Sequence, residues 1–583
     1  MARADPMDNT PGHTDSRESR GWVGKAAQVV PLTALVAVLV AAPMALLVTY
    51  SFRESSFFGV GDGPTLDQYR RVFENDSTRR LMVRTGLVAI VAGTAVTCLS
   101  LVVSYTLSFR LRSRTAMILL GVVVASAVAS LLVRILAWGS ILAKNGIINE
   151  TLERIGLITD PIDSLFFSPL AVGITMTYLY LPFGILIVHS SMHGINPSNI
   201  EASRDLGAGR WRTVANVVVP QARTGMAGAF ALTAMLASAD FVTPRLVGGP
   251  TGLMVGSLVQ DLALTAGDTP GAAALAISFV VLFIVALGCI ALILKVLLKG
   301  LKLLEMPFNS MASRVVRNKP AMIDRRSWST PITMLVLVYL VVPTFLVVLF
   351  SFNESRTTGL PMTGLTTKWY PEIVGRAGFA ESLRGSLMVA SFAVVMATAI
   401  AVPFAFAMNR SRGAAARLLW LIVVLPVMIP GVVLGSALFA ATEKTGIPLG
   451  LATTAVVHVV LLVSEITLIV YARLSGLDGR MIEAARDLGS SPSRALRTVT
   501  LPLLLPAIIG AALLAAAVSL DEVFVTTFTL GPDNTLPIWL FGQARRGLSP
   551  GINAVGAMLL FGTLLSFVLA ITIGKRSVLD REA

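Results

Sequence analysis

Residues 201–220 read EASRDLGAGRWRTVANVVVP, and residues 483–502 read EAARDLGSSPSRALRTVTLP. Glu201 and Glu483, Gly207 and Gly489, and Pro220 and Pro502 are each separated by 282 positions, so the two stretches are copies in register. A repeat of this kind decides an architecture before single elements are read. Further upstream, Ser51, Phe52, Glu54 and Ser55 match Ser351, Phe352, Glu354 and Ser355, and Gly146 matches Gly446, at a spacing of 300. The drop from 300 to 282 places one insertion of 18 residues between Gly146 and Glu201, in the segment TLERIGLITDPIDSLFFS.

The repeated unit belongs in a bilayer. Of 583 residues, 55% are hydrophobic and 14% charged, and the mean hydropathy is +0.77. Soluble chains carry about 25% charged residues, so too little polar surface remains here for a soluble enzyme. A bilayer core needs roughly 20 apolar residues per helix. Twelve stretches meet or approach that length: 27–50, 83–108, 116–139, 168–189, 224–243, 272–298, 331–350, 386–408, 416–440, 451–472, 503–528 and 553–574. The first is too long for a signal peptide and lacks a small-residue cleavage site, so it is expected to be retained. Cys98 and Cys289 lie inside apolar runs and read as small core residues rather than disulfide or metal positions.

The expected fold is therefore an all-α integral membrane protein with about 12 transmembrane helices in two six-helix repeats. An even number of spans separates the two copies of the motif, so the repeats are parallel, related by an axis along the membrane normal. With the N-terminus inside, the inward segments hold 30 of the 47 Lys and Arg residues and the outward segments 16, with Arg134 left inside a span. That asymmetry predicts both termini in the cytoplasm. It also accounts for the net charge of +14 without nucleic acid as a partner. The expected divisions are a cytoplasmic tail at 1–26, a first membrane unit at 27–298, a basic linker at 299–330, a second unit at 331–575 and a tail at 576–583.

A transporter needs an energy source. The phosphate-cradling pattern GxxxxGK[ST] is absent, because Gly24-Lys25 and Gly574-Lys575 are followed by Ala26 and Arg576. Instead, each copy of the repeated loop reads as a short helix with an acidic residue at its start, a Gly stop and a second amphipathic stretch. Acidic residues suit a helix N-terminus, and Gly ends a helix without strain. Such a loop is a rigid knob at the cytoplasmic face.

The pattern E-A-A-x3-G-x9-I-x-L-P resembles the EAA loop of permease subunits of ATP-binding-cassette importers. It is matched at Glu201, Ala202, Gly207 and Pro220, and at Glu483, Ala484, Ala485, Gly489, Leu501 and Pro502, with Ser203 and Val219 as departures in the first copy. Asp205 and Asp487 fall inside the same loops. The resemblance implies coupling helices that dock on a dimer of separate cytoplasmic ATPases, which carry ATP and Mg, so that this chain holds no cofactor and is not an enzyme. It also implies an external substrate-binding protein and residence in the inner or plasma membrane. SLLVRILAW with NGIIN, and SADFVTPRLVGGP, resemble one permease of spermidine/putrescine importers; SLDEVFVTTF and TLPIWLFGQARRGLSPGINAVGAM resemble its partner. The chain thus looks like both permeases fused, covering about residues 27–575. Fusion is shared with ferric-iron and thiamine importers, so iron, thiamine and phosphonate stand as alternative substrates to a polyamine.

Carboxylates inside a membrane are costly and read as functional. Asp240 lies roughly 30 Å beyond Pro220 and Asp521 roughly 28 Å beyond Pro502 at 1.5 Å per residue. With Glu522 they form an acidic entry for a cation, or else they cap helix ends or pair with Arg134, Arg245 or Arg545. Arg134 either snorkels to the outer interface or neutralises Asp240. Glu465 lies nearer the cytoplasmic leaflet, without a local partner, and joins the pathway candidates. Trp138, Trp369, Tyr370 and Trp539 read as interface anchors. His189 and His193 stand at i, i+4 without a third ligand, so no metal site is expected.

Two other classes fit less well. An ion-driven transporter would carry a motif such as GxxxDRxGR between spans two and three, where this chain has RLRSR at 110–114. A membrane enzyme would need a convergent His, Cys or carboxylate cluster.

Overall fold

A computed structural model of the chain describes residues 28–56, 59–312, 328–356, 359, 362–547 and 549–579. The tail expected at 1–26 lies outside the described residues. The linker does so only in part, because the helix expected to stop at 298 continues as Thr269–Ala312. Among the described residues the chain is helical, with one small hairpin, Arg53–Ser56 against Gly59–Pro64. Among the described residues nine helices are long and apolar enough to cross a bilayer, or eleven if each of two bent pairs is one span. The expected twelve are not all continuous helices, and the differences have local causes.

The run at 116–139 is two helices, Ser113–Val128 and Leu131–Leu142, parted by non-helical backbone at Ala129 and Ser130. Its counterpart at 416–440 divides into Gly413–Met428 and Gly431–Thr445, bent by 93°. Pro430 explains that second break, since it has no N–H to give and holds Ile429 in the extended region. The run at 224–243 ends as a helix at Ala239, and Pro244–Gly252 follows at 64°. The run at 503–528 likewise stops at Asp521. The insertion is visible directly: after Gly146 the first half adds Ile147–Arg154 and a short turn before Pro169, whereas the second half passes from Gly446 to Leu451 with no helix between.

The two halves exchange their first helices. Gln28–Tyr50 packs on Gly431–Thr445 of the second half, burying Leu32, Val36 and Val40 in one cluster with Ala393, Ala397 and Ala401. Ser329–Phe350 lies in the matching place against Asp76–Phe109 and Leu131–Leu142 of the first half. Between membrane helices, packing and hydrogen bonds replace the hydrophobic effect, at about 0.6 kcal/mol per bond. This exchange has several: Thr333 Oγ1 to Thr106 Oγ1 at 2.8 Å, Tyr178 Oη and Thr344 Oγ1 at 2.9 Å, and Tyr339 Oη to the Ile174 carbonyl at 2.9 Å. The outer ends repeat as well. Ser51 Oγ meets Tyr69 Oη at 2.7 Å and Ser351 Oγ meets Tyr370 Oη at 2.8 Å.

At the centre of the molecule an aromatic seam joins the halves. Phe241, fully buried, packs edge-on against Phe524 at 5.6 Å and against Phe528 and Phe541 at 6.3 Å between centroids. Two glycines admit these rings. A Cβ on Gly431 would lie 2.7 Å from Phe524 Cβ, and one on Gly435 would lie 2.5 Å from the Phe528 ring. Overpacking a tight interior costs about 1–3 kcal/mol. Gly435→Val should therefore lower the melting temperature of the purified protein in detergent by several degrees. Gly86→Val, where no atom lies within 4 Å, should leave it unchanged.

Candidate functional site

Both repeated loops form the expected knobs. Pro197–Asp205 starts at Asn196, whose Oδ1 accepts from Ser198 N at 3.0 Å. Arg480–Asp487 starts after Asp478, whose Oδ1 accepts from Arg480 N at 3.0 Å. Gly207 and Gly489 end these helices at φ +82° and +83°. At each end two backbone bonds close the turn: Gly207 N to Arg204 O at 2.8 Å with Ala208 N to Ser203 O at 3.1 Å, and Gly489 N to Arg486 O at 2.9 Å with Ser490 N to Ala485 O at 3.0 Å. A left-handed residue after the last turn favours Gly because no Cβ is present to clash.

Glu201, Ala202, Asp205, Glu483, Ala484 and Asp487 are exposed, and Ala485 is half-buried. One expectation needs correction. Glu483 stands in the first turn of its helix, but Glu201 does not, because Asn196 and Pro197 start the first helix earlier. Reading the motif also missed the most exposed large apolar side chains among the described residues, Leu206 at 83% and Leu488 at 88%. They were findable, since both occupy the D-L-G step of the repeat, 282 positions apart. The first knob is anchored from below by buried Ile200 and by Arg204, whose Nη2 donates to Tyr105 Oη at 3.1 Å. The second buries no residue of its helix. Trp211, just past the first knob, packs tilted against Trp328 at 4.2 Å between centroids, just before the second half.

From each knob one long helical stretch runs across the protein to a carboxylate. Arg210–Ala239 ends at Asp240 and Pro492–Asp521 ends at Glu522. Asp240 and Glu522 are separated by 282 and share one backbone conformation, φ −71° and ψ 123° against φ −72° and ψ 121°. The structural counterpart of Asp240 is thus Glu522, not Asp521.

Both counterparts cap the short helical turn that follows them. Asp240 is fully buried. It accepts from Val242 N at 2.8 Å, Thr243 N at 2.9 Å, Tyr180 Oη at 3.2 Å and Thr243 Oγ1. Glu522 accepts from Val525 N at 3.0 Å, Thr526 N at 2.8 Å and Thr526 Oγ1 at 2.7 Å. Arg245 pairs with Asp261 instead, and Arg545 lies over the Phe541 ring, so neither meets these carboxylates.

Asp521 reaches across to the first half. It accepts from Leu131 N at 2.5 Å and from Ser130 Oγ, and so caps the helix that starts after the Ser130 break. A cavity of about 290 Å³ opens beside it, lined by Ser130, Phe379, Leu383, Leu536 and Met558 among others. The matching place in the other half has Ala239 for Asp521 and Pro430 for Ser130, and its cavity shrinks to about 20 Å³. Arg134 does not snorkel. It is 3% exposed, donates from Nη1 to the Leu179 carbonyl at 3.1 Å, and makes no ion pair with Asp240. Its helix breaks at Ser130 and turns inward, which places the guanidinium inside the fold. Glu465 sits in Leu451–Ser475 with Oε2 buried and without a hydrogen-bond partner, apart from the other carboxylates.

Three further expectations change. Cys98 and Cys289 are exposed rather than in the core. Trp138 is no interface anchor but packs against Tyr178 and Tyr339 at 5.7 and 5.4 Å. Trp369 and Trp539 are also buried, with Nε1 donating to the Asn353 and Ala377 carbonyls at 2.6 and 3.3 Å. His189 and His193 meet edge-on at 5.0 Å between centroids, and no group of three metal-binding side chains occurs among the described residues.

Residues 101–302 and 397–577 each match the family described as binding-protein-dependent transport system inner membrane component. The chain is similar to the spermidine/putrescine transport system permease protein PotC of Haemophilus influenzae, at 32% identity over 41% of this chain and 93% of that protein. It is also similar to the putrescine transport system permease protein PotI of Escherichia coli K12, at 31% identity over 40% of this chain and 86% of that protein. A solved bacterial transporter for import of the polysaccharide alginate aligns over 46% of this chain and 94% of its own, at 16% identity and a TM-score of 0.40.

Proposed function

The chain belongs to the inner membrane components of binding-protein-dependent transport systems and carries that unit twice, and from this premise we propose that it supplies both permease units of a polyamine importer. The substrate is a small flexible cation such as putrescine or spermidine, moved inward. In this reading the knobs at Glu201, Ala202, Asp205, Gly207 and at Glu483, Ala484, Ala485, Asp487, Gly489 dock on a cytoplasmic dimer of ATPases, which hold ATP and Mg. An external binding protein delivers the substrate, and both termini face the cytoplasm. The membrane units extend over about 27–298 and 331–575. The path runs past Asp240, Asp521 and Glu522, with Arg134 balancing charge at Asp521 and Glu465 further in.

The observation that carries this reading is the pairing of each exposed knob, through one long helical stretch, with a carboxylate at the same relative place, buried at Asp240 and half-buried at Glu522. A movement imposed on the knob is delivered at the carboxylate, because a helix transmits displacement along its axis. Closure of the partner dimer then biases the path between two states, and the coupling rests on differential contact in those states. The seam of Phe241, Phe524, Phe528 and Phe541 beside the carboxylates closes the centre of the path. The polyamine similarity of two relatives supports the choice of cation.

The deciding experiment is uptake of labelled putrescine and spermidine by cells with and without the gene, repeated after ATP is depleted while the membrane potential is held. Uptake that needs both the gene and ATP is expected. Gene-dependent uptake that survives ATP loss would overturn the coupling reading. No gene-dependent uptake of either amine would overturn the polyamine reading and redirect it to iron, thiamine or phosphonate.

A further inference from the structure

His458 lies in the middle of an apolar run, where sequence reading gives it no role. In the structure it is 2% exposed and wholly engaged in hydrogen bonds. Its Nδ1 lies 2.8 Å from Ser519 Oγ and its Nε2 lies 2.9 Å from Thr526 Oγ1. Thr526 Oγ1 lies 2.7 Å from Glu522 Oε2 and can only donate there, because a carboxylate only accepts. With its one proton committed to Glu522, the Thr526 hydroxyl must accept from His458. Nε2 therefore carries a proton, and in the neutral ring Nδ1 accepts from Ser519. The result is a directed chain, Ser519 to His458 to Thr526 to Glu522. Glu522 Oε2 is itself 3.8 Å from Nε2.

The first half solves the same problem differently. The position matching His458 is Met176, and the one matching Ser519 is Ala237. There Tyr180, one turn further along the equivalent helix, donates directly to Asp240. Each half thus holds its carboxylate with a buried polar side chain from the helix preceding its knob.

We propose that His458 is a positioning residue for Glu522, acting through Thr526, and that its Nε2–H sets where the carboxylate stands when a cation passes. This rests on the reading of Glu522 as part of the cation path. His458 keeps Glu522 bound to the turn at Val525 and Thr526, so that the carboxylate is fixed rather than free to swing. An imidazole without its Nε2 proton would release Thr526, and Thr526 would release Glu522.

Two measurements on the full-length chain test this. In ¹⁵N NMR of histidine-labelled protein, the signal lost in His458→Gln should be that of a neutral ring protonated at Nε2; a ring protonated only at Nδ1 would overturn the chain of bonds whatever the substrate. In cells, spermidine uptake per copy in the membrane is compared for His458→Leu, His458→Gln, Glu522→Gln and the Leu/Gln double variant. His458→Leu should slow uptake on the order of tenfold, equivalent to about 1.4 kcal/mol. His458→Gln, whose amide both donates and accepts, should recover most of it. In the Glu522→Gln background the Leu substitution should add less than twofold, since residues acting through one another are not additive. Equal losses in both backgrounds, or no rescue by Gln at matched membrane levels, would overturn the role. Absence of uptake in the unaltered protein would instead count against the polyamine reading, and the NMR result would still decide the positioning chain.

Discussion

Replacing Leu206 and Leu488 together by Asp is expected to abolish transport while leaving the protein in the membrane at its normal level. These side chains are 83% and 88% exposed on the two knobs, yet neither is needed to hold its own helix, whose turn is closed by backbone bonds around Gly207 and Gly489. A Leu that enters a partner's groove contributes about 2 kcal/mol by leaving water. Losing both therefore costs about 4 kcal/mol, on the order of a thousandfold in association with the ATPase. Copurification of the ATPase and uptake per copy should fall together. Glu201→Ala with Glu483→Ala should give a milder form of the same defect, since exposed charges contribute less than buried apolar contacts. Normal copurification of the ATPase with the Leu206→Asp, Leu488→Asp protein would remove the knobs from the coupling interface.

The second large effect is expected at Asp240. Its four hydrogen-bond donors lie in a fully buried place, and each donor left without an acceptor costs about 1–3 kcal/mol. Asp240→Ala should accordingly fail to accumulate, or unfold at a much lower temperature. Asp240→Asn keeps an acceptor oxygen and the shape of the cap, so it should accumulate normally and show what the charge itself does. With Glu522→Gln as its counterpart, uptake should fall, and fall further for trivalent spermidine than for divalent putrescine. An equal loss for both amines in protein of normal stability would leave these carboxylates as helix caps alone.

What could be read from sequence followed from which signals survive without coordinates. The spacing of 282 located both knobs and the Gly that ends each, because positive φ at a helix end leaves a residue type behind. The same spacing pairs Asp240 with Glu522, but adjacency of two acids at 521 and 522 hid which was the counterpart. The backbone conformation shared by Asp240 and Glu522 agrees with the spacing and sets Asp521 apart. Helix breaks were less legible: Pro430 announces one, whereas nothing in ASLLVRILAW marks the break at Ser130, because the Asp521 that satisfies it lies about 390 residues away. Arg134 was misplaced for the same reason, since a span assumed straight carried it to the interface. His458 was invisible because hydropathy averages over neighbours, and its partners come from two other elements, Leu501–Asp521 and Thr526–Thr529.

The exchanged first helices have a consequence for how the chain is made. Gln28–Tyr50 finds its seat on Gly431–Thr445, and at 5–20 residues per second a ribosome needs roughly 20 to 80 s to supply that seat. In water such an unpaired apolar helix would invite aggregation. In lipid it loses little by waiting, because hydrocarbon tails serve its surface as well as leucine does. When the second half arrives its mate is already tethered on the same chain, so assembly needs no search among other copies and each permease is built with one of each half.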